Sequence, residues 1–203
     1  MTANTRRERA RESNHGRILD AALQVLESEG ASALTIRRVA GDVEYTAPVV
    51  YQHFAGKEAL LLALIVLGFE DLRADLERSA AQAPEAERFR LAARAYMDFA
   101  QRRPELYLLM NDGGVDSAER GRAAGAVIAL TQGYLEAWAS ANGVGLGDAA
   151  AETNELVWGT LHGMASLGQI ASIGHEHAAQ LAERALDTLT FGWLRGALDQ
   201  PAG

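Results

Sequence analysis

Three side chains close together can each donate a hydrogen bond to an anion: the phenol of Tyr51, the imidazole of His53 and the ammonium of Lys57. Each suits a phosphate oxygen. Lys57 is the only lysine in the chain, against eighteen arginines, which makes its placement pointed. Arg6, Arg7, Arg9 and Arg11 form a second basic group near the N-terminus, read as an arm on a nucleic-acid backbone or minor groove, or as a solubilising tail. Other chemistries find less material. There is no cysteine, so thiolate chemistry and disulfides are excluded. No Ser/His/Asp set, phosphate loop or dense carboxylate pair is evident, and no enzyme is expected. His175 and His177 invite a metal reading, but alternate residues do not share a helix face and no third ligand is evident, so neither metal nor cofactor is expected.

The net charge of −8 argues against nucleic acid if taken globally. Divided after Lys57, residues 1–57 carry eight basic and seven acidic side chains, and the remainder eleven basic and twenty acidic. The acid sits on the body and the head is slightly positive, which permits phosphate contact at one end. The longest apolar run, residues 59–69, is too short for a bilayer, which needs about 20 residues. The charged N-terminal stretch shows no secretory signal. A cytoplasmic, nucleoid-associated protein without membrane contact is expected.

Helical periodicity dominates the elements that must position these groups. Ile18, Ala22, Val25 and Leu26 repeat at helical spacing until Gly30. Thr35 caps a short helix to about Asp42, and Thr46 caps another, with Pro48 tolerated in its first turn. Lys57 opens a long helix to about Gln82. Further helices are predicted from Pro84, from Pro104, over about 117–142, near 148–172 and near 176–198. The expected fold is all-α, with nine helices and no strand. A three-helix head (1–57) precedes a helical body (58–203). The short helices at 35–42 and 46–53, separated by Val43-Glu44-Tyr45, have helix-turn-helix spacing. In that motif the second helix enters the major groove.

The residues around this motif are specific. Arg17-Ile18-Leu19-Asp20-Ala21-Ala22, Glu29-Gly30, Thr35-Ile36-Arg37-Arg38-Val39-Ala40 and Tyr51-Gln52-His53-Phe54-Ala55-Gly56-Lys57-Glu58-Ala59-Leu60 closely resemble the TetR family of transcriptional regulators. The resemblance runs in register over residues 15–62. Phe99-Ala100, Pro104-Glu105-Leu106-Tyr107 and Trp158-Gly159-Thr160-Leu161-His162-Gly163 look like the ligand-sensing, dimerising C-terminal domain of one TetR subgroup.

The resemblance implies a homodimeric, ligand-responsive repressor of double-stranded palindromic DNA. The segment from Thr46 becomes the recognition helix, with Ala47, Pro48, Val49 and Gln52 outward and Val50 and Phe54 inward. Readout by Ala47, Pro48 and Val49 would be apolar contact with thymine methyl groups, while Arg37 and Gln52 bond bases or phosphates. Tyr51, His53 and Lys57 match the family's phosphate-gripping positions. An unidentified small apolar or amphipathic effector would bind in the body, tilt the Lys57 helix and move the heads apart. Tyr96, Phe99, Tyr107, Met110, Trp158 and His162 suit a pocket for it, against ordinary core as the plainer reading. Gly159 and Gly163, with Leu156, Leu167, Leu181, Ala185 and Leu189, point to dimerisation through the last two helices. The competing classes are a small-molecule-binding helical protein without operator specificity and a protein-docking module.

One position departs from the family. Where it has glycine and a small aliphatic at the turn, this chain has Glu44 and Tyr45. A left-handed Glu44 costs ~1 kcal/mol relative to glycine. Either the turn is displaced, or Glu44 points away or accepts from a cytosine amino group.

Overall fold

The computed structural model describes residues 3–115 and 117–196, with side chains from residue 11 onward. Those residues form nine α-helices and one 3₁₀ turn, and no strand. In order they are α1 (Ala3–Glu29), α2 (Ile36–Asp42), α3 (Ala47–Tyr51), α4 (Lys57–Ala80), α5 (Glu85–Arg102), α6 (Pro104–Asn111), α7 (Ala118–Ala141), α8 (Ala150–Gly168) and α9 (His175–Leu194). The expected all-α, nine-helix architecture is present. The backbone at Arg6, Arg7 and Arg9 continues α1, while their side chains lie outside the described residues.

The chain divides into two compact units. One holds residues up to 69 together with 103–121, and the other 70–102 together with residues from 122 onward. In the first unit α1 packs on α2 and α6, and α2 packs on α3. Its core is Ile18, Leu26, Leu34, Val39, Val50, Leu60 and Leu64, nearly all without exposure. α1 stops at Gly30, whose φ of +79° suits glycine and whose N–H closes on the Leu26 carbonyl at 2.8 Å. Thr35 caps α2 through its side chain, accepting from the Arg38 N–H. α3 is shorter than its sequence pattern suggested. It ends at Tyr51 because the His53 and Phe54 N–H groups both turn back to the Val50 carbonyl.

The α2–α3 turn explains Glu44. The Tyr45 N–H reaches the Ala40 carbonyl at 2.8 Å and the Glu44 N–H reaches the Gly41 carbonyl at 3.2 Å. These are the two bonds of a Schellman motif, with Glu44 at the left-handed position, φ 57°. Tyr45 then locks the turn onto α1. Its hydroxyl donates to Asn14 Oδ1 at 2.9 Å and accepts from Arg17 Nη1 at 2.6 Å, with the guanidinium 5.1 Å over the ring. The turn is therefore kept and Glu44 bears the strain. Glu44→Gly is expected to raise unfolding free energy by about 1 kcal/mol in urea titration, whereas Glu44→Ala, which meets the same backbone penalty, gains little. Equal gains from both variants would remove strain as the cause.

α6 is held against α1 by an unusual carboxylate. Glu27 accepts from the Glu105 backbone N–H at the first turn of α6, and its Oε1 is buried without a hydrogen-bond partner. Burial pushes its carboxyl up, Arg103 pulls it partly back, and Glu105 adds to the rise. Gly68 lets α4 approach α6 closely: a Cβ there would meet Met110 Sδ at 2.5 Å.

In the second unit α8 pairs with α9, and α5 packs on both. Phe89, Trp138 and Trp193 form an aromatic chain with ring centroids 5.9 Å apart. Arg90–Asp187 at 2.5 Å and Arg94–Glu183 at 2.8 Å tie α5 to α9. Both pairs are about half exposed, so each contributes at most about 1 kcal/mol. The packing of Phe89, Leu161, Leu186 and Trp193 is the larger effect.

Candidate nucleic-acid interface

α3 is amphipathic over a very short span. Val50 and the following Phe54 are buried, at 0% and 4% exposure, and anchor it inward. Pro48, Tyr51 and Gln52 are exposed, Thr46 is exposed at the N-cap, and Ala47 and Val49 are half-buried. The Thr46 side chain makes no capping bond, while the Val49 and Val50 N–H groups close on its carbonyl. Tyr51 is 56% exposed, and no described group bonds its phenol.

Lys57, also exposed, opens α4 and donates to the Ala31 carbonyl at 3.1 Å. That bond uses one of three donors and fixes the ammonium beside the end of α1. Arg37 and Arg38 differ sharply. Arg38 is held by Glu29 at 2.7 Å and by Asp42, and these carboxylates raise its affinity for a proton. Arg37 is exposed and unpaired among the described residues. His53 is half-buried, and its imidazolium is disfavoured first by burial, then by His15 and Arg11. The structure thus gathers Arg37, Thr46, Ala47, Pro48, Val49, Tyr51, Gln52, His53 and Lys57 into one unit.

The residues nominated for an effector pocket are divided. Tyr107 and Met110, fully buried on α6, belong to the first unit. Tyr96 and Phe99 on α5, both buried, and Trp158 and His162 on α8 belong to the second. Trp158 is 53% exposed and stacks on His162, with centroids 5.5 Å apart. Burial lowers the affinity of His162 for a proton.

The second unit carries a groove of about 220 Å³ among α5, α8 and α9. It is lined by the two ion pairs just described, Asp98 and apolar residues including Met97, Leu161 and Leu186, and by none of those six. It is smaller than the ~300 Å³ or more usual for ligand pockets. Sequence reading missed it, although arginines four apart on α5 facing acids four apart on α9 are a legible sign of helix pairing. α8, α9 and the turn between them also leave apolar surface uncovered. Leu156, Ile170, Phe191 and Leu194 are each about half exposed, and Gly159 and Gly163 are open. Leu167, Leu181, Ala185 and Leu189 are half-buried. Among the described residues no helix is long and apolar enough to cross a membrane, and no group of three His, Asp or Glu could hold a metal ion.

Comparison with known proteins agrees with this architecture. Residues 18–64 match the family described as "Bacterial regulatory proteins, tetR family", and residues 89–189 match "Tetracyclin repressor-like, C-terminal domain". Together the matches take in well over half of the chain. A search of curated proteins returned no match. Among solved structures, a protein of unknown function from Rhodococcus sp. RHA1 is 28% identical with a TM-score of 0.76, over 89% of this chain and 95% of that one. A TetR-family transcriptional regulator from Pectobacterium atrosepticum shares the fold at 21% identity and a TM-score of 0.72, over 91% and 95% of the two chains. PfmR, a TetR family transcriptional regulator from Thermus thermophilus, does so at 20% identity and 0.64, over 85% and 96%. With a helix-turn-helix head, a helical body and a family match to each, the chain belongs to the TetR family of DNA-binding transcriptional regulators.

Proposed function

We propose that the protein is a homodimeric repressor that leaves a palindromic operator when a small apolar or amphipathic effector binds residues 58–203. The observation that carries the DNA half of this reading is the surface of α3: exposed Pro48, Tyr51 and Gln52, anchored from beneath by Val50 and Phe54. Residues 1–57 act as the head. Ala47, Pro48 and Val49 meet thymine methyl groups, Gln52 and Arg37 bond bases or phosphates, and Thr46, Tyr51, His53 and Lys57 hold the backbone. Two copies pair through the uncovered apolar face of α8 and α9, so the operator's symmetry mirrors the dimer's. Tyr96, Phe99, Trp158 and His162, all within the second unit, are the proposed effector contacts. α4, one helix from Lys57 to Ala80, carries the change toward the head.

Selection of bound sequences from random duplex DNA tests this directly, repeated with small apolar compounds. Enrichment of an inverted repeat, lost when one compound is added, is the expected outcome. Recovery of sequences without a shared motif would end the repressor reading.

A further inference from the structure

α1 brings two basic groups to His53 that its own helix-turn-helix does not supply. His15 is exposed, and its ring lies 6.1 Å from the His53 ring, tilted by 54°. It is held there by stacking on Phe54, with centroids 4.5 Å apart and planes 25° apart. Phe54 is 4% exposed and anchored in the core, so His15 has a rigid seat. Arg11 lies one turn earlier on α1, exposed, and bears on His53 electrostatically. From the other elements around His53, α3 offers only the phenol of Tyr51, and α4 opens with Lys57 and Glu58. Of all these groups, the ones that act on the charge of His53 are Arg11 and His15, both basic.

Among the described residues, three basic groups thus converge and no carboxylate acts on His53, although the exposed Glu12 stands beside Arg11 on α1. Such an arrangement repels itself unless an anion enters it. We propose that Arg11, His15 and His53 form a further phosphodiester subsite that joins α1 to the DNA footprint, and that filling it takes up a proton. This rests on the reading of the head as a duplex binder. In the free protein, burial and the two neighbours disfavour the charged imidazole of His53. A phosphate between the rings favours it. His53 then holds a proton more tightly in the complex than in the free protein. Affinity therefore rises as pH falls through the bound-state value and levels off below the free-state value.

The test measures binding of a mixed-sequence duplex of about 30 base pairs at constant ionic strength, since phosphate contacts need no operator. From pH 8 to pH 6 the wild-type affinity is expected to rise about three- to tenfold, within the limit of tenfold per pH unit for one proton. His15→Gln should bind about threefold more weakly than wild type at pH 6 and equally at pH 8. A general loss of structure would weaken binding at both. Arg11→Gln, at an exposed position, should weaken binding at both pH values and reduce the salt slope by about 0.9. Wild-type binding with a pH profile that His15→Gln leaves intact, or a salt slope that Arg11→Gln leaves intact, overturns the subsite and spares the function. Failure of the wild type to bind duplex at any pH overturns both.

Discussion

Replacing Tyr51 and Lys57 together by alanine is expected to weaken duplex binding about 100-fold while leaving helicity and Tm nearly unchanged. A hydrogen bond to a charged group contributes about 1.5–3 kcal/mol, and 1.4 kcal/mol is a factor of ten, so two such bonds at the lower end of that range, as suits exposed groups, give that size. Neither side chain supports the core. The Tyr51 phenol is exposed and unbonded, and Lys57 gives the fold only one surface bond, to the Ala31 carbonyl. Losing that bond costs at most about 1 kcal/mol. The effect should be alike for all sequences, and the slope of log affinity against log salt should fall by about 0.9 for the lost ammonium. Band-shift or anisotropy titration of operator and non-operator duplexes decides the matter. A variant that binds as well as wild type, in the same oligomeric state, would refute the assignment of these two groups to the backbone.

Phe99→Ala is expected to destabilise the protein by about 3–5 kcal/mol, a large part of the 5–15 kcal/mol typical of a folded domain. Phe99 is 1% exposed on α5, among buried Tyr96 and Ala100. Its removal leaves a void that the surrounding helix cannot fill by a rotamer change. Phe99→Leu should cost far less, about 1.5 kcal/mol. Denaturant unfolding of both variants separates two roles for this residue. Phe99 is packed in the free protein and would meet an effector only when the helices around it shift, so a cost near 1 kcal/mol for Phe99→Ala would contradict close packing and point to a cavity already open.

The helix starts and stops were legible because they depend on local chemistry. Thr35, Pro104 and Gly30 act through their own φ angle or side chain, and each stands where its spacing put it. Glu44 was legible as a cost, and the Schellman bonds explain why the turn accepts it. Trp158 was not legible. α8 has two apolar faces: Val157, Leu161 and Ala165 point inward, while Leu156 and Trp158 are exposed. Periodicity identifies apolar positions but not which of two faces the chain itself covers. His15 escaped notice for another reason. It lies thirty-eight positions before His53, and no repeat or spacing rule joins them. Only the packing of α1 over Phe54 does. The division of Arg37 from Arg38 was hidden likewise, since the pairing of Arg38 depends on Glu29 across a turn.

Lys57 offers the sole side-chain amine in this sequence, seated beside the end of α1. Acylating reagents aimed at ε-amines therefore address a single locus instead of a scattered population. Modification there replaces an ammonium with a neutral amide, erasing one positive charge from the head while the eighteen guanidinium groups remain untouched. With one lysine, side-chain acylation falls at the point where the protein would grasp a nucleic-acid strand.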